Sequence, residues 1–305
     1  MHLNVQETFQ KLDTDGRKQS HDNGLEELIE YDEKLLEIGC TVFKRHFFSM
    51  FVSMLAGLLS LMYIPTIVQV LQNTRESSTP ERAFQRYLRT LNHVIKWYQT
   101  CISDQIKSLK VVRRTHANVA KKEAMSQFDM VITQWAFIAP TLLKPQELGI
   151  DPISEEELDG LRYVIYCVGK SIGIEDDLNL CKNDLQQTKE YSHLILKRII
   201  QPALKEETEQ NNLMADNLLQ GMHLLNPYLI PQSLKAWTFQ LFEVKYDQGR
   251  DCISFYLVDK ILSSVLHGTT GKITRPIFSY LMRINIILAN KWEKHILIKS
   301  RRPIM

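Results

Sequence analysis

Residues 47–64 read FFSMFVSMLAGLLSLMYI, a stretch of 18 residues that carries no charged side chain. This length is at the lower limit for a membrane-spanning helix, which needs about 20 apolar residues. Four small residues fall on one face of such a helix, namely Ser49, Ser53, Gly57 and Ser60. A stripe of small residues lets a second helix approach closely, and it suits a membrane helix pair and a buried core helix equally well. Hydrophobic periodicity alone does not separate these two interpretations.

Patterns upstream and downstream of this stretch also favour helices. Strand-like alternation with Asn-Gly or Asp-Gly turns is almost absent, and glycine is sparse. Thr79-Pro80-Glu81 supplies an N-cap, a proline at the first helical position and an acid in the first turn. The predicted helices run from Thr79 to about Cys101, from about Gln105 to Glu123 and from about Ser126 to Ala139, and a loop follows over residues 140–152.

Capping signals and helix breakers mark the second half of the chain. Ser154 and Glu157 form a capping-box pattern that begins a helix, and Gly173 interrupts it. Asn179 is expected to order the acidic turn that follows. Further breaks are predicted near Pro202, Asn226-Pro227 and His267-Gly268. The sequence therefore predicts an all-α protein, with a flexible polar N-terminal arm over residues 1–24 and a single large helical domain over residues 25–305.

Composition and charge restrict the classes of function. The chain has 305 residues, of which 44% are hydrophobic and 24% are charged, as is typical of a globular protein with a large core. Its net charge of +2 gives no electrostatic case for binding nucleic acid. The five cysteines are widely spaced and lack a C-x-x-C pair, which favours buried free thiols over a zinc site or a disulfide framework. Residues 1–24 contain no apolar h-region, so we expect no secretory signal peptide and an intracellular protein.

A histidine framed by basic residues stands out in residues 111–119, VVRRTHANV. On a helix, one face holds Leu109, Val112, Arg113, His116 and Ala120, and one face of the helix upstream holds Arg86, Arg89, Thr90 and His93. One imidazole on an otherwise apolar helix, with arginines nearby, suits a haem iron and its propionates. Two such helices facing each other would converge on a single cavity. For a lone histidine, a hydrogen-bonded core residue is the ordinary alternative.

Six segments together carry a resemblance to a known family. They are TVFKRHFFS (41–49), IPTIVQVLQNT (64–74), Arg86-x-x-Arg89-Thr90, Arg113-x-x-His116, SQFDMVITQWAF (126–137) and GIEDDLNLC (173–181). In order and spacing they resemble the catalytic domain shared by bacterial rubber oxygenase (latex-clearing protein) and the fungal ER-bound oxygenase of the mycophenolic acid pathway. Arthropod members are the most similar. The resemblance runs from about Thr41 to about Pro231.

The resemblance implies a haem b-dependent oxygenase with a globin-reminiscent haem pocket. Dioxygen and an apolar substrate, such as an isoprenoid, would react there at a carbon–carbon double bond. The axial histidine of rubber oxygenases lies in the R-x-x-H motif, which makes His116 the expected iron ligand. Family members place an apolar helix inside the fold, so residues 47–64 are expected to form a core helix. Because one relative is ER-bound, both a cytoplasmic and an ER-membrane-associated location are expected, and the oligomeric state is not indicated.

The arginines near the two motifs have more than one interpretation. Arg113 either steadies a haem propionate, as Arg86 would, or holds its helix in place through a buried ion pair. In rubber oxygenase a lysine stands at the position of Arg89 and can occupy the second axial position. A guanidinium does not ligate iron, so Arg89 predicts an open or water-bound distal site or a purely electrostatic role, with a solvated basic face as the alternative. Thr90 would donate a hydrogen bond to bound dioxygen.

Thr133 matches a family threonine near the cofactor. It shares a helical face with Met130 and Phe137. That face either lines an apolar pocket, where Thr133 would tune bound dioxygen, or forms a core stripe in which Thr133 bonds to a main-chain carbonyl.

Two tyrosines depart from the family pattern. Tyr163 stands where relatives have a histidine, and Tyr166 stands where they have an arginine. A phenol can hydrogen-bond a haem propionate, but it carries no positive charge. Loss of two cations is expected to weaken haem binding or to shift its chemistry. The alternative function is therefore a divergent helical protein of the same fold, which binds an apolar ligand or the ER membrane without turnover.

Overall fold

The computed structural model describes residues 4–18, 31–99, 102–123, 125–227, 229–246 and 268–300. Its regular elements in these ranges are all helices, which confirms the predicted all-α class. The helices are α1 (Val5–Lys11), α2 (Glu33–Arg45), α3 (Phe47–Leu61), α4 (Pro65–Thr74), α5 (Pro80–Trp97), α6 (Ile102–Glu123), α7 (Gln127–Leu143), α8 (Glu155–Ile172), α9 (Leu185–Ile195), α10 (Gln201–Lys205), α11 (Glu209–Leu225), α12 (Pro231–Leu241) and α13 (Gly268–Ser300). Two π-helical segments, Leu12–Gly16 and Leu196–Ile200, follow α1 and α9.

The uncharged stretch forms α3, which lies in the centre of the core. Every residue of α3 except Leu58 is buried. Its small-residue face packs against α7, where Ser53 Oγ lies 2.6 Å from Thr141 Oγ1. A methyl group added at Gly57 would overlap the main-chain carbonyl of Ala136. The small residues therefore serve close packing of two helices within the protein.

The membrane-span question concerns the same segment. No single helix among the described residues has the length and apolar character of a span. Helices α2 and α3 reach that threshold only as a pair, and they meet at an angle of 93°.

Helix α7 extends beyond its predicted end. The prediction placed a loop from Pro140, but the helix continues through Pro140 to Leu143. Proline has no N–H to donate to the carbonyl four residues earlier, which here belongs to Ala136. That carbonyl instead faces the Cα of Gly57 on α3. A Cα–H contact of this kind partly replaces the missing helical hydrogen bond, so the partner helix supports α7 at the proline.

The predicted break near Pro202 lies a few residues later, between Lys205 at the end of α10 and Glu209 at the start of α11. Helical structure continues through Pro202 because the π-helical segment Leu196–Ile200 joins α9 to α10, and its wider turn accommodates the proline. Other predicted signals are confirmed: Ser154 and Glu157 form a capping box, and Gly173 ends α8 in the left-handed conformation at φ 99°.

The N-terminal segment differs from the predicted flexible arm. Asn4 caps α1 in a capping box with Glu7. Leu12 is completely buried in the core, and Lys11 Nζ lies 3.3 Å from an oxygen of Asp177. The helix is short and its apolar residues are few, so the sequence did not indicate that this segment packs against the core. Residues 19–24 of the predicted arm lie outside the described residues.

Glu243, just after α12, joins three parts of the fold. Its carboxylate oxygens lie 2.8 Å from Lys144 Nζ and 2.7 Å from Lys197 Nζ. Hydrogen bonds from these lysines lower the pKa of Glu243 to about 2. A carboxyl group with a lowered folded-state pKa stabilises the protein above its unfolded pKa, and this contribution disappears as the pH falls through the folded value.

We therefore expect Glu243→Gln to lower the melting temperature at pH 7 and to have no effect at pH 2. The difference should shrink between about pH 4.5 and about pH 2. Because the carboxylate is nearly half exposed, solvent screening limits the contribution to less than about 1 kcal/mol. Melting curves of both proteins across this range measure it, and a difference that does not depend on pH would contradict the assignment.

Candidate functional site

Helices α5 and α6 form a hairpin that carries most of the predicted site residues. His93 Nδ1 on α5 lies 2.7 Å from Ser108 Oγ on α6, which fixes the register of the pair. Because the chain reverses between the helices, residues equally far from the turn lie opposite each other. Burial lowers the pKa of His93, and the charges of Lys96 and Arg89 lower it further.

Arg113 connects α6 to the end of α8. Its Nη1 donates to the main-chain oxygen of Ser171 at 3.2 Å. This carbonyl belongs to the last turn of α8, where the helix dipole favours a positive charge. Arg113 thus holds α6 against α8, one helical turn before His116.

His116 lies between solvent and the protein interior. The residue as a whole is half-buried, whereas its Nδ1 atom is buried. A neutral imidazole nitrogen in such a position has the character of a metal ligand or a core hydrogen-bonding group.

Thr133 lies on the same face of α7 as Met130 and Phe137. Phe137, one turn later, contacts Trp97 of α5 with ring centroids 6.2 Å apart. Met130 on the same face is buried. Thr133 Oγ1 donates to the main-chain oxygen of Asp129 at 2.7 Å, as in the core-stripe interpretation.

The residues of the predicted distal motif have different surroundings. Thr90 Oγ1 donates to the main-chain oxygen of Arg86 at 3.2 Å. The guanidinium of Arg86 lies 5.7 Å from the ring centroid of its neighbour Tyr87. Arg89 pairs with Glu76 at 2.8 Å, and both side chains are 53% exposed. An exposed pair of this kind contributes about 0–1 kcal/mol, so Arg89 lies on a solvated basic face.

The two tyrosines of α8 are bonded to neighbouring elements. Tyr163 OH accepts a hydrogen bond from the main-chain nitrogen of Asp32, the N-cap of α2, at 2.7 Å. Tyr166 OH donates to Asp176 Oδ1 at 3.2 Å. Burial raises the pKa of both phenols, that of Tyr166 to about 12 with a further contribution from Asp176. Both are therefore neutral at physiological pH, and they supply no cation.

The predicted residues on α5, α6 and α7 are half-buried except Arg89, which is exposed; the half-buried ones are Arg86, Thr90, Arg113, His116 and Thr133. Tyr163 and Tyr166 on α8 are half-buried as well. Helix α6 packs against α5 and α8, and α7 packs against α8. Arg89 points to the exposed Glu76, and the hydroxyls of Tyr163 and Tyr166 pair with Asp32 and Asp176.

An open groove that the sequence did not indicate lies elsewhere on the protein. Its volume is about 1100 Å³, and it is lined by residues of α1 and the π-helical segment after it, by α4 along its length, by Phe128 of α7, and by α9 to α11. Two arginines, Arg17 and Arg198, stand on its walls. The predicted site residues are not among its lining residues. Because the groove combines residues from segments far apart in the chain, no motif marked it in advance.

One buried carboxylate adjoins this groove. Asp129 is 5% exposed and accepts hydrogen bonds from Ser126 N at 3.0 Å, Ser126 Oγ at 2.8 Å and Thr66 Oγ1 at 2.5 Å. It forms a capping box with Ser126 at the start of α7, and the bond to Thr66 ties this cap to α4. The S-x-x-D spacing is visible in the sequence, whereas its partner Thr66 is not.

Three of the five cysteines lie among the described residues. Cys40, Cys167 and Cys181 are buried free thiols, as predicted, and burial raises their pKa values to about 11, 12 and 12. Cys101 and Cys252 lie outside the described residues. Within the described ranges, no group of three or more His, Cys, Asp and Glu side chains is arranged to hold a metal ion.

No protein-family model, curated protein sequence or solved structure matches the chain. The resemblance to the oxygenase family is therefore an expectation from the sequence.

Proposed function

We propose that the protein is a haem b-dependent oxygenase acting on a carbon–carbon double bond of an apolar substrate, such as an isoprenoid. The supporting observation is the half-buried His116, whose Nδ1 atom is buried, on a helix that packs against both α5 and α8. In this proposal His116 holds the haem iron in a helical pocket reminiscent of globins. The protein is intracellular, either cytoplasmic or associated with the ER membrane.

The residues around His116 fit part of what haem requires. Two guanidinium groups, Arg86 and Arg113, have the charge and shape to bind propionates. Phe137 and Trp97 form an aromatic contact near the turn of the hairpin, away from His116. Tyr163 and Tyr166 supply hydroxyl groups without charge, so the anionic cofactor would be balanced by fewer cations than in the relatives.

Haem, when bound, supplies the activation of dioxygen. The chain contributes ligation, charge balance and exclusion of water around the reacting groups. Thr90 and Thr133 already donate their hydroxyl protons to main-chain carbonyls. Each hydroxyl therefore offers an acceptor oxygen to the pocket, and it would have to leave its carbonyl to act as a donor.

The test is the haem content of purified protein produced with a haem precursor. We expect a Soret band and about one haem per chain. His116→Ala should reduce bound haem at least about tenfold, since it removes the axial ligand. His223→Ala is the matched control, because His223 is also half-buried but lies on α11, where its Nδ1 is 3.1 Å from the oxygen of Leu229. Full haem content in His116→Ala would exclude His116 as the ligand.

A second candidate is a helical protein of the same fold that binds an apolar ligand or the ER membrane without turnover. It is favoured by the two tyrosines, whose hydroxyls are bonded to Asp32 and Asp176, and by the exposed Arg89–Glu76 pair. A folded, colourless preparation from haem-sufficient cells would favour this candidate. Circular dichroism of the same sample establishes that the protein is folded.

A further inference from the structure

Helix α13 is attached to the rest of the protein along one face. Phe278 contacts Phe48 of α3 with ring centroids 5.3 Å apart, and Met282 is buried. Farther along, the side chains of Asn290 and Asn92 of α5 form two hydrogen bonds of 2.7 and 3.0 Å. These contacts fix which side of the helix faces inward.

The opposite face of α13 exposes large apolar side chains. They are Ile273 (68% exposed), Ile277 (53%), Tyr280 (66%), Ile287 (55%), Leu288 (57%) and Trp292 (58%). Trp292 lies at the edge of this face, and its ring also contacts Phe84 of α5 with centroids 6.2 Å apart. The intervals of three, four and seven residues place these side chains on one helical face, and the partly exposed Ile284 continues it. Six of the ten exposed large hydrophobic residues in the described part of the chain belong to this helix, so the apolar exposure is concentrated in one place.

The same helix is strongly basic. Residues 268–300 contain six lysines and arginines and one acidic residue, Glu293, a formal charge of +5 in a chain whose net charge is +2. Lys291 is exposed and lies on the apolar face itself, between Ile287 and Trp292. The ammonium group of a lysine at this position can reach lipid headgroups while its methylene chain covers apolar surface.

We propose that the apolar face of α13, from Ile273 to Trp292, is a docking surface for an anionic lipid bilayer. The helix would lie parallel to the membrane plane. An exposed apolar face that carries Lys291, with Lys272 exposed on the same helix and Tyr280 and Trp292 among its large side chains, has the composition of an interfacial helix. The two arginines of the helix lie toward the protein, where Arg283 stacks on the Phe47 ring. Anionic headgroups complement the exposed lysines. This surface is independent of haem and goes beyond the proposed oxygenase activity.

A second copy of the chain fits this face less well. Pairing two α13 helices through it would bring two charges of +5 together and would bury Lys291 at the contact. Both effects oppose association, because like charges repel and a buried ammonium group without a partner is costly. The charge therefore selects the bilayer as the occupant.

The experiment is co-sedimentation of the full chain with vesicles. We expect binding to phosphatidylcholine vesicles containing about one third phosphatidylserine to exceed binding to pure phosphatidylcholine at least about tenfold, and to weaken with salt. The double variant Ile277→Gln/Leu288→Gln should lose about tenfold in binding. The matched control is Leu213→Gln/Leu224→Gln on α11, where the side chains are 58% and 56% exposed; it should bind within about twofold of the wild type.

Two results would overturn the proposal. One is equal binding, or none, to both kinds of vesicle. The other is a concentration-dependent dimer in light scattering that the α13 double variant abolishes, which would assign the face to a second copy. Haem content measured on the same samples separates this outcome from a failure of the oxygenase proposal.

Discussion

Gly57→Ala is expected to lower the free energy of unfolding by about 3 kcal/mol, because the added methyl group overlaps the carbonyl of Ala136 on α7. The overlapping atoms belong to the main chain of a buried helix, so neither partner can move aside as a flexible side chain would. Alanine favours helix over glycine by about 1 kcal/mol, which offsets only part of the cost. Loss of the close approach also withdraws support from the carbonyl that Pro140 leaves without a helical donor. Urea denaturation of both proteins measures the difference.

Ser49→Ala is the control on the same face of α3. Ser49 is 1% exposed, and its hydroxyl has no hydrogen-bond partner in the described part of the protein. Removing a buried hydroxyl without a partner should leave stability unchanged or raise it by up to about 1 kcal/mol. The two substitutions therefore have opposite expected signs. A stable Gly57→Ala protein would mean that α3 and α7 do not approach as closely as described.

Gln134→Leu is expected to cost about 3–5 kcal/mol, since Gln134 joins three elements through one buried amide. Its Nε2 donates to the oxygen of Ile165 at 3.0 Å and to Asn179 Oδ1 at 2.9 Å, and its Oε1 accepts from Leu180 N at 3.0 Å. The side chain is buried, so leucine would leave these groups without their partner and out of reach of water. The expected effect combines one unsatisfied donor, Leu180 N, at about 1–3 kcal/mol with two further lost hydrogen bonds of about 0.5–1.5 kcal/mol each, since Asn179 Oδ1 keeps its bond from Cys181 N.

Gln186→Leu is the matched substitution at an exposed position. Gln186 is exposed on α9, and its Nε2 donates to Oε1 of Glu190 at 2.9 Å. Its effect should stay within about 0.5 kcal/mol, as for most surface changes. Chemical denaturation compares the two. Similar small effects at both positions would mean that the buried network contributes little.

Local signals were sufficient where the deciding interaction spans a few residues. Thr79 caps α5 and Ser154 caps α8, as predicted, because a cap bonds to a main-chain nitrogen three residues away. The hydrogen bond from Thr133 to the carbonyl of Asp129 was also predictable as one of two alternatives, because the two residues are one helical turn apart. Asn179 orders its turn by accepting from Cys181 N at 3.1 Å, which is likewise local.

The same reasoning failed where a distant segment decides. The carbonyl of Ala136, which Pro140 leaves without a helical donor, packs against Gly57 of another helix, and no local pattern connects these residues. The partners of Tyr163 and Arg89 are Asp32 and Glu76, residues that no spacing rule connects to them. The candidate site was thus predictable as a set of residues on helix faces, but the bonds that each residue makes were not.

The amino-acid sequence by itself determined that this chain is helical and where α5, α7 and α8 begin. These properties follow from hydrogen bonds and side-chain periodicity within a few residues. Only the tertiary structure decided that α3 is enclosed by other helices, that α13 keeps an apolar and basic face in contact with solvent, and how the residues around His116 are bonded. Burial and pairing are properties of two segments at once, so one segment's sequence leaves them open until the chain has folded.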